Sequence, residues 1–312
     1  MTIEPPIVLV VGAASRDVVA DDPRGWRLGG AVTYASLALA RLGLRVRALV
    51  GADREAADAS ELNLLRAAGV VIAMAELQTG PVFDNVRHIL FTTADRIPVA
   101  ALPSGWTSGF DALLLAPVAA EVGDDWAAMT GAGMPQIVAL GWQGLLRKLA
   151  AGAVIEKAPP IRTPLVAAAV LIGSSRDDFE SGTELSAVAE LLSPGATLVI
   201  TEAQAGGQVF SLDPTGAVSA ARYPAIASGA VVDATGAGDV FLATMLAGLL
   251  DPTLGDPLTL AAAAASLTVE GPGLAGVPDL AAVRERMTRA PSLASRRASA
   301  VSTRTRGRPR RA

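Results

Sequence analysis

The sequence predicts an α/β fold with a mostly parallel central sheet covered by helices on both faces. Short β-type runs alternate with longer Ala/Leu-rich stretches. "IVLVVG", "AVTYASLALARLG", "RVRALVGAD" and "SELNLLRAAGV" follow one another between residues 7 and 70. Strands buried on both faces read as continuous apolar runs, and strand–helix alternation is the signature of parallel βαβ units. The chain has 312 residues, 51% hydrophobic and 18% charged, enough to bury a large core as one domain with a small appendage.

Each element follows from local pattern. The first apolar run begins at Ile7, after Glu4 and with no Lys or Arg before it, so it reads as a buried strand rather than a secretory signal. Further strands are expected in "DALLLAPV" from Asp111, "PQIVALG" from Pro135, "AAAVLIGS" from Ala167 and "ATLVITEA" from Ala196, with helices between them. Residues 15–30 and 78–98 break the alternation, being turn-rich with short alternating pieces. They read either as small antiparallel strands that meet as a lid over the C-terminal edge of the sheet, or as two ordinary surface loops.

Composition excludes several chemistries. With no cysteine there is no disulfide, thiolate metal site or cysteine nucleophile, which suits a reducing cytoplasm, the expected location. A single histidine, His88, leaves little scope for a histidine metal site or a Ser-His-Asp triad. Uncharged apolar runs fall short of the roughly 18 residues a membrane span requires, so no membrane role is expected. Residues 291–312 hold seven arginines and no acid and read as a disordered basic tail. The net charge of −4 for the whole chain makes the remainder acidic, and that opposes approach to phosphate backbones. Nucleic-acid binding is therefore not the expected role.

The stretch "VVDATGAGDVFLATMLAGLL", residues 231–250, points to chemistry. Gly236, Ala237 and Gly238 are small enough for main-chain N–H groups to approach an anion closely, and a long apolar helix follows from Val240. Exposed amides and the helix dipole favour negative charge there, such as a phosphate in transfer. Asp239, a carboxylate at the edge of an apolar segment, needs a partner or a purpose. An ordinary first-turn acid is the plain alternative.

"DATGAGDVF" resembles the C-terminal signature of the ribokinase-like, or PfkB-type, carbohydrate kinases, and "LGGAVTYASLALARLG" resembles their N-terminal signature. "TGPVFDNV" is similar to a lid strand of that family and "VITEAQAGGQVF" to its nucleotide-side strand and turn. The resemblance implies a ribokinase-like three-layer sandwich over residues 1–290, with a small β lid, and ATP-dependent phosphorylation of a hydroxyl on a sugar, polyol or nucleoside. Asp239 would be the base and the amides of Gly236, Ala237 and Gly238 the anion hole. Asp233 would shape the loop with Thr235, beside a monovalent cation such as K⁺. Gly29 and Gly30 would let substrate lie against the backbone, Asp17 would hold its hydroxyls, and Thr201 and Gly206 would border the nucleotide. No G-x-x-x-x-G-K-[ST] sequence is present, which argues against a P-loop kinase.

Some positions depart from the family pattern. Tyr34 stands where an asparagine often follows the paired glycines, Gly141 where a strand-end aspartate is frequent, and Ala203 where glycine is usual; these bear on substrate identity. In "GSSRDDF", Asp178, with Ser175 or Asp177, reads equally as a contributor to Mg²⁺ through water and as a helix-start acid. "LGGAVTY", "ADRIP" and "LGWQGLLRKL" resemble a branch that includes plant-type inositol kinases, which would put Gln143 and Arg147 on the substrate side, although Arg147 reads equally as a solvated helix residue. Asn85 and Arg96 in the second lid segment either touch substrate or face water; Trp26 either stacks on a ring or anchors the lid. His88 is expected to do no chemistry. The altered positions keep open a non-catalytic small-molecule sensor on the same fold, and exposed lid strands suggest a homodimer.

Overall fold

The computed structural model describes residues 4–129, 135 and 137–289. The expected basic tail, 291–312, lies outside the described residues.

A nine-stranded sheet forms the centre. From edge to edge it runs Val218–Tyr223, Gly207–Leu212, Thr197–Thr201, Leu171–Ser175, Ile137–Gly141, Ala112–Leu115, Ile7–Ala13, Arg45–Ala52 and Val71–Glu76. Adjacent pairs from Thr197–Thr201 to Val71–Glu76 are parallel; only the two strands at the first edge, Gly207–Leu212 and Val218–Tyr223, pair antiparallel. Alternation within the apolar runs sorts side chains to two faces. Val8 and Val10 join the core under helices Ala31–Arg41, Ala237–Leu250 and Pro257–Thr268, while Leu9 and Val11 join a second core with Trp126, Trp142 and Leu165. The result is a three-layer sandwich, as expected.

The two faces are covered unequally. The second face carries short helices, Pro164–Ala168 and Leu185–Ala189, and 3-10 turns. Ala167 and Ala168, expected to open a strand, instead close the first of these. Thr163 caps it by accepting from the Val166 N–H, and Pro164 holds its first position, so the strand starts only at Leu171.

The two irregular segments do meet. Ser15–Val18 pairs with Trp26–Gly29 and, in parallel, with Val82–Asp84, which pairs with Ile89–Thr92. A fifth strand the sequence did not suggest, Ala153–Val154, completes this small sheet against Ile89–Thr92. Among the described residues no helix is long and apolar enough to cross a membrane.

Candidate active site

Asp17, Gln143, Asp178 and Glu202 each follow the C-terminal end of a strand of the parallel part of the sheet, the edge at which open α/β sheets gather their ligands. Helix Ala237–Leu250 aims its N-terminus at the same edge. It lies close against the sheet because residue 173 is glycine: a Cβ there would stand 3.0 Å from the Leu242 side chain.

The start of that helix is built by glycine. Gly236 is the N-cap and takes φ 78°, ψ −4°, a left-handed backbone that L side chains pay for in steric strain. A Cβ there would also run into the Tyr34 ring, which is 2% exposed. Tyr34 thus supports the turn from beneath, and burial drives its hydroxyl pKa upward. Before the turn, Asp233 accepts from the Thr235 N–H at 2.9 Å and the Gly273 N–H at 3.0 Å, tying the loop to its neighbour. The Ala237 N–H donates to the Ala234 carbonyl at 3.4 Å. N–H groups of a first helical turn lack partners within the helix, and around Gly238 there is open space.

Asp239 sits in that first turn, half-buried. Loss of hydration pushes its pKa up to about 7; the guanidinium of Arg147 pulls it down, while Asp178 and Asp17 push it up further. Asp17 is buried and likewise raised, to about 6, mainly by burial. It accepts from the Ser15 hydroxyl at 2.7 Å and also bonds the Asn85 side chain. The paired glycines serve this carboxylate: a side chain at Gly29 would strike the Asp17 carboxyl group, and Gly30, at φ 95°, has no room beside Ala13 and Ala14.

Arg147 is half-buried among these acids and feels Asp178, Asp239, Asp17 and Glu121. Its Nη1 donates to the Val118 carbonyl at 3.3 Å, and the guanidinium lies 5.5 Å from the Phe83 ring centre. It occupies a two-residue strand, Arg147–Lys148, so it is not a solvated helix residue. Gln143 donates to Asp178 at 3.2 Å. Asp178 also accepts from the Ser174 hydroxyl at 2.8 Å and the Ser175 N–H at 2.7 Å, closing a capping box. The described residues contain no cluster of three or more His, Cys, Asp or Glu able to hold a metal.

Thr201 ends its strand opposite Gly207 and Ser175. Gly206, at φ 86°, leaves room for the Tyr223 carbonyl, and Ala203 adopts a left-handed φ of 48° without being glycine. Glu202 beside it accepts from Gln208 at 2.7 Å and pairs with Arg222. Arg96 is exposed and stands over Gly123 near Trp142 and Thr163. Trp26 lies between two guanidinium groups, 4.5 Å from Arg24 and 5.8 Å from Arg16, which anchors it in the lid. His88 sits in an exposed turn at φ 55°. Sequence reasoning undervalued Arg147, for which only "LGWQGLLRKL" gave a sign, and missed Glu121, whose surroundings carry no motif.

Residues 169–280 match the family model described as pfkB family carbohydrate kinase. No curated protein sequence gives a significant match. Among solved structures, a pyrophosphate-dependent kinase in the ribokinase family, complexed with a pyrophosphate analog and myo-inositol, is 20% identical with a TM-score of 0.69, covering 91% of this chain and 100% of that one. The Methanocaldococcus jannaschii nucleoside kinase is 17% identical, TM-score 0.62, covering 92% and 99%. Arabidopsis thaliana ribokinase complexed with ribose and ATP is 16% identical, TM-score 0.61, covering 91% and 99%. Identities this low speak for the fold, and the family match speaks for the signature region. Residues 169–280 are therefore similar to the pfkB family carbohydrate kinases, and the fold of the chain is ribokinase-like.

Proposed function

We propose that this protein transfers a phosphoryl group from ATP to a hydroxyl of a small sugar, polyol or nucleoside. The observation that carries the reading is Asp239: a carboxylate with pKa near 7, in the first turn of a helix led by a left-handed glycine, opposite Arg147 and Asp17. A base titrating near neutrality is matched to a hydroxyl proton at physiological pH. Asp17, held by Ser15, orients the acceptor through its hydroxyls together with Asn85. Main-chain N–H groups at 236–238 and the Arg147 guanidinium face the negative charge on the transferring group. Because phosphoryl transfer runs through a loose transition state, such placement and charge neutralisation matter more than base strength.

Mg²⁺ would neutralise the donor phosphates. Asp178 would hold it through water, its oxygens already accepting from Gln143, Ser174 and Ser175. Asp233 would border a monovalent cation such as K⁺, with lone pairs left beyond those taken by Thr235 and Gly273.

Pyrophosphate is the alternative donor to test, because a pyrophosphate-dependent kinase and a ribokinase holding ATP share this fold. The deciding experiment supplies ATP or pyrophosphate with Mg²⁺ to a panel of myo-inositol, ribose and nucleosides, and follows acceptor-dependent ADP or phosphate release. Product with one donor and one acceptor class supports a kinase and names its substrates. Calorimetric binding of an acceptor with no product from either donor would leave the sensor reading instead. A homodimer through the lid belongs to the same proposal: Phe91 and Val154, 41% and 62% exposed, lie on one face of that sheet, and light scattering reads the mass.

A further inference from the structure

Glu121 is 0% exposed, and no step proposed above uses it. Its carboxylate gathers main-chain donors from two distant stretches of chain. Oε1 accepts from the Ala13 N–H at 2.8 Å and the Val118 N–H at 3.1 Å; Oε2 accepts from Val118 at 3.1 Å and Ala119 at 2.8 Å. The turn that wraps it contains Ala120 at φ 58°, a left-handed backbone in a residue with a side chain. That conformation is disfavoured for alanine and persists where its surroundings hold it. A buried carboxylate is costly without such donors, and burial raises the Glu121 pKa even so.

Both tethered stretches lead to the site. Ala13 ends the first strand, two residues before Ser15, which bonds Asp17, and it backs onto Gly30. Val118 offers its carbonyl to Arg147 Nη1. One side chain therefore ties the base of the Asp17 strand to the anchor of Arg147.

We propose that Glu121 is a positioning residue that sets Arg147 against Asp17 and Asp239 by holding the 118–121 turn to the end of the first strand. The inference rests on the kinase reading for its consequence in catalysis, but not for its geometry.

Its test needs no turnover. Phenylglyoxal modification of Arg147, followed by peptide mass spectrometry, reads how firmly that guanidinium is held. Glu121→Gln places an amide N–H₂ against main-chain donors, and Glu121→Asp keeps the charge but shortens the reach. Leu65→Ala, a buried change in helix Leu62–Ala67, supplies a control of reduced stability. Well below every melting temperature, Glu121→Gln should raise the Arg147 modification rate about tenfold and Glu121→Asp less, with Leu65→Ala near wild type. Should Glu121→Gln fail to fold, Glu121→Asp against Leu65→Ala decides alone. Wild-type reactivity in the Glu121 variants, or an equal rise in Leu65→Ala, would overturn the proposal. If the panel names an acceptor, Glu121→Gln should raise the acceptor KM more than it lowers kcat. A wild type that phosphorylates nothing would sink the kinase reading while leaving the Arg147 result to judge Glu121.

Discussion

The ring of Tyr34 fills the space that a side chain at residue 236 would need. The helix start and the first long helix are thereby fitted to each other, and the two glycines of the turn are not equivalent. Gly236→Ala must both adopt φ 78° and displace a buried ring, a loss of about 2–5 kcal/mol when strain and overpacking are combined. Gly238→Ala meets open space in a helical residue and should gain roughly 0.5–1 kcal/mol. Thermal unfolding of the two variants should move in opposite directions.

Asp239→Asn should slow turnover by roughly 10²- to 10⁴-fold while the protein stays folded. Single-turnover kinetics with the acceptor found in the panel measures this. Wild-type rates in the variant would remove Asp239 from the mechanism.

Stability should also respond to pH with a definite sign. Asp17 and Asp239 bind protons more tightly in the native state, near pH 6 and pH 7, than in the unfolded chain. Their contribution is therefore complete below about pH 3.8 and is lost as pH rises through 6 and 7. Asp239→Asn removes the upper part of that decline, so urea unfolding should show the variant gaining on wild type between pH 5 and pH 8.

Arg147 lowers the pKa of both carboxyl groups. Arg147→Gln should thus shift the acid limb of kcat/KM, expected near pH 7 in the wild type, to higher pH. An unmoved limb would mean that the guanidinium does not face the base.

The loop before Asp233 is held from outside the site. Glu270 Oε1 accepts from the Gly229 N–H at 2.6 Å and from Arg286 at 2.7 Å, and Arg286 also donates to the Ala227 carbonyl at 3.0 Å. Arg286→Ala should cost about 1–3 kcal/mol by calorimetric unfolding, because a partly buried network loses its central donor.

Much of the scaffold was legible because a strand covered on both faces has one readable property, continuous hydrophobicity, and runs such as "IVLVVG" or "TLVIT" cannot be placed elsewhere; the helix over 237–250 declared itself by glycine followed by a long apolar run. The site was legible where backbone geometry restricts residue type, as at Gly236 and Gly30, and where the family resemblance pointed to Asp17 and Asp239. Pairings between distant residues left no trace: Glu121 meets Ala13 across 108 positions, and nothing in "PVAAEVG" marks it. Ala120, Ala203 and His88 adopt left-handed backbones without glycine, so tertiary contacts decide there what local propensity would refuse. Helices between the later strands were expected without a length, and those of the second face are short, because Ala/Leu richness reports burial and not length.

The small sheet over the site draws strands from residues 15–29, 82–92 and 153–154. During synthesis, its earliest strands leave the ribosome long before their last partner exists. Phe91 and its neighbours must wait, unpaired along one edge, until roughly half the chain has emerged, the interval in which a nascent chain is most exposed to wrong pairing.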